Sequence, residues 1–179
     1  MGAQSPATDP QPPLLRRIWR SEVSTETTSP SQRASIDAAT RSHDTLELAE
    51  HALHAALGRP QPARERAWAR HVATSLHAAV EAIEAHRREV EGEHGLYGEL
   101  RFEAPWLLPR VRQLTAQLAR IQAEARDLTD EVQRVVEGDL QGLNAIRADA
   151  ERMLFSLRDL RAKETDLIFE RFNEPVALD

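Results

Sequence analysis

The chain of 179 residues contains no cysteine, one lysine, one tyrosine and only seven glycines, and each shortage removes a class of chemistry. Without thiols there is no cysteine nucleophile, thiolate metal site or disulfide framework, which fits a cytoplasmic protein better than a secreted one. The glycines fall mainly at expected helix ends, so no phosphate-cradling loop or dinucleotide fingerprint is present. Nor does any nucleophile stand in a recognisable relation to a base, which argues against an ordinary hydrolase or transferase. With a formal charge of −6, the chain has no basic excess to release phosphate counterions, and nucleic-acid binding is not expected. No run of about 18 apolar residues occurs, so no membrane span is expected either. The opening Met1-Gly2-Ala3-Gln4-Ser5-Pro6 carries neither an apolar signal core nor the hydroxyl residue that myristoylation uses at position 6.

What is present is helical periodicity. Leu107, Val111, Leu114, Leu118, Ile121, Ala125, Leu128, Val132 and Val135 alternate four-residue and three-residue steps, the signature of a helix seam. The flanking positions are Arg, Gln, Glu and Asp, so one narrow stripe needs a partner while the opposite face stays in water. Three further segments supply partners. Ser29-Pro30-Ser31-Gln32 offers an N-cap, a proline at the first helical position and a capping-box glutamine. From there Ile36, Ala39, His43, Leu46, Glu50, Leu53 and Leu57 form the face of a first helix, which Gly58-Arg59-Pro60 ends. A second carries Trp68, Val72, Leu76, Ala79, Ile83, His86 and Val90, and stops where Gly92, Gly95 and Gly98 arrive. The central seam makes a third helix, beginning near Pro105 or Pro109. A fourth shows Leu143, Ile146, Ala150, Leu154, Leu157, Leu160, Ile168 and Phe172.

Four amphipathic helices with short first and third connections predict an all-α, antiparallel up-down-up-down four-helix bundle over residues 29–173. The connection from Glu91 to Glu103, with Leu96, Tyr97, Leu100 and Phe102, is expected to be an apolar loop plugging one end. Residues 1–28, rich in proline, serine and threonine, predict a disordered tail, and residues 174–179 a second, short one. Within the first, Leu14, Leu15, Ile18 and Trp19 sit among Arg16, Arg17 and Arg20. That two-turn amphipathic stretch is either a docking motif or a cover for an open end of the bundle. An elongated coiled coil pairing with a second chain is the alternative architecture.

Bundle interiors hold carboxylate and histidine metal sites, so polar residues on the seams are the candidates. His43, Glu50 and His86 occupy such positions, and Glu47, His51 and His54 crowd the first helix. The only Glu-x-x-His match is Glu91 to His94, at a glycine-rich helix end. If the first helix ends at Leu57 and the second starts near Ala63, His43 faces His77, and His43 and His86 stand roughly 13 Å apart along the axis. That register keeps the pair from sharing a metal, whereas a longer loop reaching Arg66 shrinks the gap. Glu50, His54 and His77, nearer the first hairpin, are the alternative shell.

Two stretches carry a resemblance. His86-Arg87-Arg88-Glu89-Val90-Glu91-Gly92-Glu93-His94-Gly95-Leu96-Tyr97 and Arg161-Ala162-Lys163-Glu164-Thr165-Asp166-Leu167-Ile168-Phe169-Glu170-Arg171-Phe172-Asn173, together with His43 and Trp68, resemble the hemerythrin-like bundle proteins of bacteria. The resemblance implies an antiparallel four-helix bundle in which His43, His86 and Glu164 stand at metal-ligand positions of a non-haem di-iron centre. It departs from that pattern at Gln117-Leu118, where such relatives often carry Glu-His, and at Leu160, where they often carry histidine. The departures make the expected function a non-enzymatic helical module without cofactor, acting through a protein partner or self-association. A di-iron or other metal protein in oxygen or redox sensing is the alternative.

Overall fold

The computed structural model describes residues 30–58 and 63–173. Both predicted tails, with the Leu14–Arg20 stretch, lie outside the described residues, as does Ser29 of the capping box. The described residues form helices and the turns between them. The elements are α1 (Pro30–Ala56), α2 (Glu65–Glu91), α3 (Leu96–Glu103), a 3-10 turn (Pro105–Leu107), α4 (Leu108–Glu137) and α5 (Leu143–Asn173). Four of them are long, and no strand occurs among the described residues. No helix there is long and apolar enough to cross a membrane.

The boundaries follow local chemistry. Helix α1 begins on Pro30, whose missing N–H has no acceptor to lose in a first turn. Pro105 opens the 3-10 turn and Pro109 sits in the first turn of α4, so each proline marks a start. Helix α4 ends at Gly138, in the left-handed region with φ 119°. There the Gly138 N–H reaches Arg134 and Val135 carbonyls and the Asp139 N–H reaches Arg134, a Schellman-type close.

Every apolar residue of the central seam from Leu107 to Val135 is buried. Cross-helix pairs run in opposite numerical order. Gly58 meets Trp68 and Ser42 meets His86 between α1 and α2, while Arg87 and Glu84 meet Gln122 and Arg126 between α2 and α4. Arg110 pairs with Glu170 and Gln117 with Asp159 between α4 and α5. Between α5 and α1, Arg147 meets Leu57 and Arg158 meets Glu50.

Two expectations need correction. The first concerns the connection after α2, which is not a plain loop: it folds as α3, with Leu96, Tyr97 and Leu100 buried. It still covers one end of the core, and Ser35 Oγ of α1 donates to Glu99 of α3 at 2.5 Å. Its closeness to α2 depends on glycine. A Cβ on Gly95 would lie 2.1 Å from the Glu89 carbonyl oxygen, and one on Gly98 2.7 Å from that of Gly92. Backbone against backbone is the only fit, and it fixes Tyr97 between the two glycines.

The second correction is the first hairpin's register. The expected level pairing assumed helices ending flush, but α2 begins about one turn beyond the end of α1. The Trp68 indole N–H donates to the Gly58 carbonyl at 2.7 Å, putting the fourth residue of α2 level with the end of α1. Farther along, Ser42 at His86 Nδ1 puts His86 level with residue 42 rather than 34, eight residues or about 12 Å nearer His43 at ~1.5 Å each.

Candidate metal centre

On their inward faces, α1, α2 and α5 each place one polar residue at a shared level: His43, His86 and Glu164. His86 and Glu164 are completely buried and His43 is 13% exposed. The His43 and His86 ring centroids are 5.3 Å apart. His43 Nε2 lies 2.7 Å from Glu164 Oε2. His86 Nε2 lies 3.2 Å from Oε1 and 3.2 Å from Oε2. One ligand atom from each residue falls within 4.8 Å of the others, and among the described residues no other three His, Cys, Asp or Glu groups do so.

Two more side chains complete the cluster. Tyr97, fully buried, donates its hydroxyl to Glu164 Oε1. Ser42 Oγ lies 2.6 Å from His86 Nδ1. A carboxylate only accepts, so His86 presents Nε2–H to Glu164, while the Ser42 hydroxyl at Nδ1 can donate or accept. Ser42 thereby aims Nε2 into the cluster, and its oxygen can accept from Nδ1–H when Nε2 is the ligating atom, as an outer partner of a metal-bound imidazole does.

The electrostatics favour an ionised carboxylate. Burial pushes the Glu164 carboxyl up, but hydrogen bonds from His43 and His86 and their positive charge more than reverse it, holding it at about 2. Burial, the Glu164 charge and the hydrogen bond to it all push the Tyr97 phenol up, so it remains a neutral donor at neutral pH. The donor set of two imidazole nitrogens and one carboxylate oxygen suits first-row divalent ions such as zinc, iron(II) or cobalt(II).

His43, His86 and Glu164 are therefore brought together, against the register expected from a short first loop. The alternative shell is not assembled. Glu50 is buried one level away, its Oε1 3.1 Å from Arg158 and its Oε2 2.7 Å from Arg161, and burial raises its carboxyl despite those cations. His54 is exposed, and His77, also exposed, lies 3.4 Å from Glu81 on its own helix. Leu118 and Leu160, where the hemerythrin-like pattern places ligands, are buried among apolar neighbours. Sequence reasoning missed Tyr97 and Ser42 as members of the cluster. Tyr97 read as one more apolar residue of a loop, though it is the sole tyrosine and lies between closely spaced glycines.

No family model, curated protein or solved structure matches this chain.

Proposed function

We propose that this chain is a hemerythrin-like, antiparallel up-down-up-down four-helix bundle that binds one divalent metal ion through His43, His86 and Glu164. The observation that carries the reading is the convergence of three ligand atoms from three helices within 4.8 Å at a buried level. The opposed ordering of cross-helix pairs supports the bundle topology. Leu118 and Leu160 support one ion rather than two, because their side chains offer no lone pair where a second ion would need ligands. Bound there, the metal would supply a Lewis-acidic or redox-capable centre. The protein's own part is to orient the imidazoles, hold the carboxylate ionised and limit solvent access to the edge of His43.

The test is metal content. Chain stripped with chelator and then offered cobalt(II), zinc(II) or iron(II) should retain one ion, and His43→Ala or Glu164→Ala should lose it. A wild-type chain retaining none would overturn the reading. Two irons per chain with oxo-bridge absorption bands would replace it with a di-iron centre.

A second reading, an interaction module, is favoured by one observation: Phe102 on α3 is 85% exposed and Trp106 in the adjoining turn 49% exposed. Exposed aromatics grouped at one end are characteristic of contact surfaces. Sedimentation mass measured over a range of concentrations tests self-association, and a constant monomer mass would remove that form of it.

A further inference from the structure

The two oxygens of Glu164 have different surroundings. Oε2 is the oxygen within reach of both imidazoles, 2.7 Å from His43 Nε2 and 3.2 Å from His86 Nε2. Oε1 takes the Tyr97 hydroxyl, with His86 Nε2 at 3.2 Å. A metal in place of the two Nε2 protons, each ring then carrying its proton on Nδ1, would be met by Oε2, while Oε1 stays with the phenol. Tyr97 is well placed to hold it. The ring is fully buried, and a Cβ on Gly95 would strike a backbone oxygen of α2 and one on Gly98 a backbone oxygen of the turn that follows α2. The phenol cannot swing aside without moving the whole plug.

On the reading of this cluster as a metal site, we propose that Tyr97 is a positioning residue that keeps Glu164 a one-oxygen ligand, leaving the bound ion a coordination position for a small exogenous anion such as azide. Three protein atoms fall short of the four to six that a first-row ion takes. His43 is the one ligand residue of the three with an exposed edge, so the vacant side is reached past its ring. Without the phenol, Oε1 is released to bind the ion as a second carboxylate oxygen, filling that position.

The experiment uses the full chain loaded with cobalt(II), whose visible spectrum reports coordination number, and azide as the probe. Wild type should show a spectrum that azide shifts saturably. Tyr97→Phe, which keeps the ring and removes only the hydroxyl, should load cobalt with an altered spectrum and bind azide at least tenfold more weakly. A merely structural role would lower the melting temperature of that variant and leave its cobalt spectrum and azide affinity as in wild type, which would overturn the proposal. A second measurement needs no variant. The iron(III) form of the wild type should lack a phenolate-to-iron charge-transfer band, and because Tyr97 is the only tyrosine, such a band would make it a ligand and overturn its positioning role. Wild-type cobalt protein indifferent to azide would overturn the vacant position. Failure of the wild type to take up cobalt at all would instead overturn the underlying metal reading.

Discussion

Replacing Glu164 by alanine tests whether the cluster is the dry, mutually satisfied group that its burial implies. The carboxylate accepts from His43, His86 and Tyr97. Its removal leaves His43 able to reach water through its exposed edge, but orphans the donors of His86 and Tyr97, both fully buried. Each orphaned buried donor costs about 1–3 kcal/mol, so the pair costs about 2–6 kcal/mol before any cavity term. Relief of the carboxylate's own desolvation acts the other way, and breaking a buried charged pair by deleting one partner costs about 3–5 kcal/mol in other proteins. The two estimates agree on roughly 3–5 kcal/mol. Glu164→Gln keeps one acceptor oxygen but turns an amide N–H₂ toward another donor, and should lose about 1–3 kcal/mol. Urea unfolding followed by circular dichroism, with chelator present so that no metal contributes, measures both. A loss under about 1 kcal/mol for Glu164→Ala would show that water reaches the cluster, and would refute the reasoning.

Zinc at a hundred times its dissociation constant should stabilise the wild type by about 2.7 kcal/mol, and Glu164→Ala should lose that increment; thermal melts with and without zinc check it. The acid limb of stability follows from the low folded-state value of Glu164. A carboxyl held at about 2 against an ordinary 4.5 contributes stability fully present above pH 4.5 and lost as the pH falls toward 2. Urea titrations across that window should show the decline in wild type and a shallower one in Glu164→Gln. Gly98→Ala should be destabilised by about 1–3 kcal/mol and bind cobalt more weakly, because the added Cβ pushes α3, and Tyr97 with it, off the end of α2. Circular dichroism and cobalt titration would show it, and an unchanged melting temperature would mean that the plug yields easily.

The central seam was legible because burial on a helix leaves a periodic trace, and every position from Leu107 to Val135 that the spacing assigned to the core is in it. The starts at Pro30 and Pro109 and the stop at Gly138 were legible too, since proline and glycine act through their own backbones. Helix α3 was not. Its eight residues are too few to show a period, and its helical state depends on lying against the end of α2.

His43 and His86 could be named as seam residues from the sequence, and Glu164 through the resemblance. Whether they meet depended on the register between α1 and α2, which differs from the flush pairing by about 12 Å where Ser42 meets His86. No residue pattern encodes that register; the Trp68 indole N–H on the Gly58 carbonyl is one of the contacts that express it. Tyr97 and Ser42 entered the cluster for the same reason: their partners, Glu164 and His86, lie far away in the sequence. The sequence by itself determined the four long helices, their buried faces and the polar residues interrupting them, because those are properties of a chain and its nearest turns. Only the tertiary structure decided which interruptions share a level, because axial offset between packed helices is a balance of many side-chain contacts.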